Sequence, residues 1–252
     1  MMPLGDDNTD RTTRPIVTYT LIAINIVVFV LFQGLGSNNS FTMAFSTVPA
    51  EIVSGNDIIT EDQIAQDPQT GQTFELPGLE PTPITVYITL LTSMFMHGGL
   101  GHIFGNMLYL WIFGDNIEDR MGHARYLVFY LLTGVLASLA HVFSTYAFNG
   151  NPLIPSLGAS GAISGVLGGY LLLFPGKRVK VLMFTMLTEV PSIVAIGLWF
   201  AFQLLGGFGS ISGAGGGVAY AAHIGGFIAG LILVKVFDAG KREPGVFVGR
   251  TR

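Results

Sequence analysis

Six apolar runs, at roughly 16–33, 100–114, 122–143, 160–175, 191–206 and 217–237, constrain this chain more than any single motif does. A helix needs about 17–25 residues to cross the hydrocarbon core of a bilayer, and each run is near that length, the second, fourth and fifth at its short end. The background agrees, because 50% of the 252 residues are hydrophobic and 11% are charged, a balance foreign to soluble globular chains. The expected architecture is an all-α membrane protein with six transmembrane helices. Nothing in the net charge of −4 points to a nucleic-acid partner. The lack of cysteine removes disulfides, thiolate zinc sites and cysteine nucleophiles together.

Charge placement orients the spans. Lys and Arg occur only at 11, 14, 120, 125, 177, 178, 180, 235, 241, 242, 250 and 252, and six spans with both termini inside (N-in/C-in) put all of them on the cytoplasmic side. The segment 35–83 is then external, carrying Asp57, Glu61, Asp62, Asp67, Glu75 and Glu80 and no basic residue. The apolar stretch ITVYITLLTSMFMH at 84–97 is short for a crossing and is expected to be interfacial, since a seventh span there would carry Arg120 and Arg125 outside. The resulting division is a cytoplasmic tail at 1–15, a membrane domain at 16–237 and a cytoplasmic tail at 238–252. A helix over 179–206 would be roughly 40 Å long, more than a bilayer core. Pro191 is therefore expected to divide it, leaving VKVLMFTMLTEV along the cytoplasmic interface with Glu189 near the headgroups.

Polar residues inside apolar spans are costly and mark function by default. Here they form three clusters: HGGLGHIFGN (His97 to Asn106), GASGAISG (Gly158 to Gly165) and AHIGGFIAG (Ala222 to Gly230). At about 1.5 Å per residue, Ser160, His223, His102 and Asn106 all fall in the middle or outer half of their helices. His102 and Asn106 are four apart and share a helix face, whereas His97 and His102 are five apart and do not, which argues against a helical zinc pair. Gly161, Gly165 and Gly168 on the fourth span, and Gly226 and Gly230 on the sixth, allow close backbone approach. Such an approach can bring a serine hydroxyl to the histidine it needs as a base. The helix start at Gly158, Ala159 and Ser160 offers unpaired N–H groups to an oxyanion, with His102 and Asn106 as side-chain donors.

Over about 85–237 these residues resemble the rhomboid intramembrane serine proteases. GASGAISG resembles the family's G-x-S-G nucleophile motif at the start of the fourth helix, and AHIGGFIAG its A-H-x-x-G-x-x-x-G on the sixth. HGGLGHIFGN is similar to the H-x(4)-H-x(3)-N run leading into the second helix, and EDRMG (Glu118 to Gly122) to the E-x-R-x-G after it. The resemblance implies Ser160 as nucleophile, His223 as general base and acid, His102, Asn106 and Ser160 as oxyanion donors, and His97, Gly158, Gly226 and Gly230 as supports. It also implies the six-span prokaryotic form in a plasma (inner) membrane, other proteins' transmembrane segments as substrates within the lipid bilayer, and no metal or organic cofactor. One position departs from the pattern. Where the family often has a tyrosine packing on the catalytic histidine, this chain has Ser164, so His223 is expected to be less constrained unless Tyr220 or a water takes over, and Ser164→Tyr is expected to be tolerated with equal or higher activity.

Each feature has a plainer reading in isolation, Ser160 as a packing residue and the Gly226/Gly230 pair as a helix contact. Other chemistries lack their residues: no His is followed by the Glu of H-E-x-x-H, and Asp115 has no second membrane aspartate opposite it. The rival that stays open is a catalytically inactive relative that binds and escorts transmembrane helices. The sequence leaves the oligomeric state undetermined.

Overall fold

The computed structural model describes residues 2–66, 73–211 and 219–238. Each of the six apolar runs is helical over most of its described residues. The helices are α1 (Ile16–Val27, continued by a π-turn at Val28–Phe32), α2 (Leu100–Met121), α3 (His123–Ala147), α4 (Ser160–Leu173), α5 (Ser192–Ile211) and α6 (Tyr220–Phe237). Three stretches, α3, Ser192–Gly209 of α5 and α6, are long and apolar enough to cross a membrane by length and composition. Ile16–Phe32, Ser160–Leu173 and Val86–Phe95 are shorter apolar helices, the last occupying the stretch expected to be interfacial.

The all-α expectation needs correction. Among the described residues there are five strands: β1 (Met2–Asp6), β2 (Gln63–Gln66), β3 (Thr73–Leu76), β4 (Arg178–Met183) and β5 (Met186–Pro191). β2 and β3 pair as a hairpin in the long segment after α1, while β1, β4 and β5 form an antiparallel sheet in that order. VKVLMFTMLTEV is thus mostly a hairpin. Its first strand alternates, with Val179 and Val181 fully buried and Arg178 and Lys180 exposed, the period-two signature of a half-buried strand. Pro191 does divide the region, since β5 ends on it and α5 begins at Ser192.

The segment 1–15 is also more than a tail. Besides β1, Arg11 pairs with Asp115 at 2.5 Å, and the Thr12 and Thr13 amides donate to Asp119 Oδ1 at 3.1 and 2.6 Å. Glu118 explains part of EDRMG: its carboxylate accepts from the Val17 and Thr18 amides at 2.8 and 2.7 Å, satisfying orphan donors at the start of α1. Arg120 grips Asp238 with two hydrogen bonds of 2.6 and 2.9 Å, tying α2 to the end of α6. Gly122, at φ +79°, supplies the left-handed turn between α2 and α3. The rest of the expected tail, 239–252, lies outside the described residues; the glycine-rich stretch GGFGSISGAGGG at 206–217, expected from the sequence to be a mobile cover, is part of α5 through Ile211, and its remainder also lies outside the described residues.

α4 is the centre of the bundle, with every residue from Gly161 to Tyr170 buried. A helix apolar on all sides and short of large residues in its first turns suits that place. α6 packs on it with backbone almost in contact. A Cβ added to Gly226 would lie 2.1 Å from the Gly161 carbonyl oxygen, and one added to Gly230 would lie 2.0 Å from that of Gly165. This seam sets the distance between the residues at the two helix starts.

Candidate active site

Ser160 is the first residue of α4, and Gly158 before it takes φ +116°, a conformation L side chains rarely adopt. The Gly158 amide donates to the Ser93 carbonyl at 2.8 Å, anchoring the loop that delivers Ser160. His223 lies in the first turn of α6. The α4–α6 seam brings its Nε2 within 2.7 Å of Ser160 Oγ, close enough for proton transfer.

His102 and Asn106, one turn apart on α2, approach the same point from the other side. A Cβ on Gly158 would come 2.8 Å from His102 Nε2 and 3.6 Å from Asn106 Nδ2, so glycine leaves room for both side chains beside the loop that carries Ser160. His102 Nδ1 accepts from the Gly98 amide at 3.2 Å, which places the ring proton on Nε2, the nitrogen facing the site. Asn106 Nδ2 is buried with no hydrogen-bond partner, a donor that lines the same cavity as Ser160. His97 is fully buried, and its ring meets that of His102 edge-on at 5.2 Å between centroids. Gln33 holds His97 by its backbone, accepting from its amide and donating to its carbonyl, both at 2.9 Å.

Ser160, His223, His102 and Asn106 border a cavity of about 590 Å³ that is also lined by Gly101, Gly105 and Tyr109 of α2 and Trp199 of α5. A smaller apolar cavity of about 120 Å³ continues from it along the same two helices, sharing Tyr109, Leu167 and Trp199.

Ser164 is fully buried, and its hydroxyl donates to the Ser160 carbonyl at 2.6 Å, an i to i−4 back-bond within α4. The ring neighbours of the imidazole come from elsewhere. Trp199 from α5 lies 6.2 Å from the His223 ring centroid, tilted 38°, and Tyr220 stands edge-on at 6.5 Å. Sequence reasoning named Tyr220 and missed Trp199. It also missed Gln203, whose Oε1 lies 2.7 Å from His223 Nδ1, and Gln33. Gln203 had a signal that could have found it, as the one amide within an otherwise apolar span.

The Rhomboid domain family model matches residues 85–238. Rhomboid protease GluP of Bacillus subtilis is 31% identical over 217 residues, 84% of this chain and 35% of that protein. The mitochondrial Rhomboid protein 1 of Saccharomyces cerevisiae is 33% identical over 156 residues, 61% of this chain and 43% of its own length. The mitochondrial presenilin-associated rhomboid-like protein of Homo sapiens is 31% identical over 125 residues, 46% of this chain and 32% of its own. The chain thus spans less than half the length of these relatives. With the family model matching well over half its residues, this chain is an integral membrane protein of the rhomboid family.

Proposed function

We propose that the protein is an intramembrane serine endopeptidase that cleaves transmembrane segments of other membrane proteins with a Ser160–His223 dyad. The observation that carries this reading is the 2.7 Å contact between Ser160 Oγ and His223 Nε2 in a cavity that also holds a buried, unpartnered Asn106 amide. Ser160 Oγ attacks the substrate carbonyl carbon while His223 Nε2 takes its proton. The oxyanion that forms accepts from Asn106 Nδ2, His102 Nε2 and the Ser160 amide, all fixed before the substrate arrives. Collapse breaks the peptide C–N bond as the imidazolium returns the proton to the leaving amine. Water, deprotonated by the same nitrogen, then hydrolyses the acyl-enzyme.

An intact substrate helix hides its peptide bonds, so a cleavable segment must unwind to lie in the cavity. Segments with glycine, proline or other weak helix formers near the membrane boundary meet that need. The cavity lined by α2 and α5 gives such a segment a lateral way in. The six-span arrangement with both termini cytoplasmic, and residence in a prokaryotic plasma membrane, belong to this proposal. The charge distribution supports the orientation.

The test is purified protein in liposomes with a panel of transmembrane substrates. Wild type cleaves and Ser160→Ala does not, while Asn106→Ala and His102→Ala each slow cleavage by about 10- to 1000-fold if each supplies one oxyanion donor. Binding without cleavage across a broad panel would favour a helix-escorting role instead.

A further inference from the structure

We propose that Gln203 on α5 is the positioning residue that sets the tautomer and orientation of His223; the inference rests on the dyad reading above and extends it to a third member. A neutral imidazole can serve as a base at Nε2 only if its proton sits on Nδ1. Gln203 Oε1 lies 2.7 Å from Nδ1 and, as an acceptor, stabilises the Nδ1–H form, freeing the Nε2 lone pair for Ser160 Oγ. With the amide reversed, Gln203 would donate to Nδ1, leave the proton on Nε2 and disable the base. The two arrangements give opposite tautomers.

Packing fixes the acceptor where it is needed. Ile196, Trp199, Phe200, Gln203 and Gly206 recur at three- and four-residue steps and form the inward stripe of α5. Phe200 stacks on Phe227 of α6 at 4.1 Å, Trp199 covers both Phe227 and the imidazole, and the Tyr220 ring stands against Gly206. The other face, with Phe202, Leu205 and Phe208, is exposed. Thus the helix that lines the substrate cavity also holds the outer nitrogen of the base. The amide is neutral, so Gln203 orients the imidazole without the full charge stabilisation a carboxylate would give the imidazolium. His102 and Tyr220 are the other titratable side chains facing His223 among the described residues.

The experiment compares wild type, Gln203→Met, which keeps the volume and loses the strong acceptor, and Gln203→Glu, which keeps an acceptor. Imidazole ¹⁵N spectra of histidine-labelled protein, assigned by loss of the signal in His223→Ala, read the tautomer, and initial rates in liposomes read kcat and KM. In wild type His223 is the Nδ1–H form. Gln203→Met shifts it toward Nε2–H and lowers kcat by about 10- to 100-fold with KM within about twofold, a fraction of what a general base contributes. Gln203→Glu restores kcat, and its carboxylate favours the imidazolium, so the acidic limb of the rate profile moves to higher pH. An Nε2–H signal in wild type, or unchanged spectra and kcat in Gln203→Met, overturns the proposal. Equal losses in Met and Glu variants with unchanged spectra mean a packing role and also overturn it. Absence of wild-type cleavage on every substrate would reject the protease reading, while the nitrogen spectra would still decide whether Gln203 sets the tautomer.

Discussion

At the scale of single residues, Ser164 shows how a neighbouring helix changes what one motif leads one to expect. The departure from tyrosine was legible in the sequence, and it implied an imidazole with an uncovered face that Ser164→Tyr could fill. The structure covers the imidazole from another helix, with Trp199, and leaves Ser164 fully buried with its hydroxyl bonded to the Ser160 carbonyl. No single-helix motif can report a neighbour supplied by α5. The expectation therefore reverses: a tyrosine ring at 164 overpacks the core of the bundle, at a cost of about 1–3 kcal/mol or more. Ser164→Tyr should lower the thermal unfolding midpoint and lose cleavage, while Ser164→Ala, which removes one back-bond, stays near wild type in both. Wild-type rate and midpoint in Ser164→Tyr would show room beside His223 that these contacts do not leave.

At the scale of elements, the pairing of α4 with α6 was readable because its glycines are spaced for helix contact and no side chain intervenes. The β4–β5 hairpin was not. Its alternation, Arg178 to Val181, is four residues long and runs on into the apolar Leu182, Met183 and Phe184, so a helix and a strand both fit, and its partner β1 lies far away in sequence. The helix seam makes a sharp prediction. Gly226→Ala would place a methyl 2.1 Å from the Gly161 carbonyl oxygen, and since both are backbone-fixed the helices must part. A separation of about 1 Å is enough to cost on the order of 100-fold in rate. Cleavage should fall by at least that factor, with a lower unfolding midpoint, whereas Gly101→Ala, which meets nothing within 4 Å, should remain folded with a wild-type midpoint. A wild-type rate in Gly226→Ala would mean that the seam does not set the Ser160–His223 distance.

At the scale of the whole molecule, β1 closes the end of the bundle where α2 and α4 finish. Asp6, the last residue of β1, accepts from Tyr170 Oη at 2.6 Å and Asn116 Nδ2 at 2.7 Å. Burial, with Asp115 adding repulsion and Lys177 opposing it, pushes its carboxyl up to about 7. A carboxyl raised above its unfolded value holds its proton more tightly when docked, so its contribution is fully present below about 4 and is lost as pH rises through about 7. Amide protection factors in β1 should therefore fall between pH 5 and 8 on the order of tenfold, and Asp6→Asn should flatten the profile. A flat wild-type profile would contradict the burial of a protonated carboxyl. The end opposite β1 holds the site, and the account as a whole stands on one contact there, Ser160 Oγ against His223 Nε2. The most direct measurement treats the protein in liposomes with a fluorophosphonate and finds the modified residue by peptide mass. The account predicts covalent modification at Ser160 in wild type and its loss in folded His223→Ala. An unmodified Ser160 in wild type, or equal modification without His223, would contradict it.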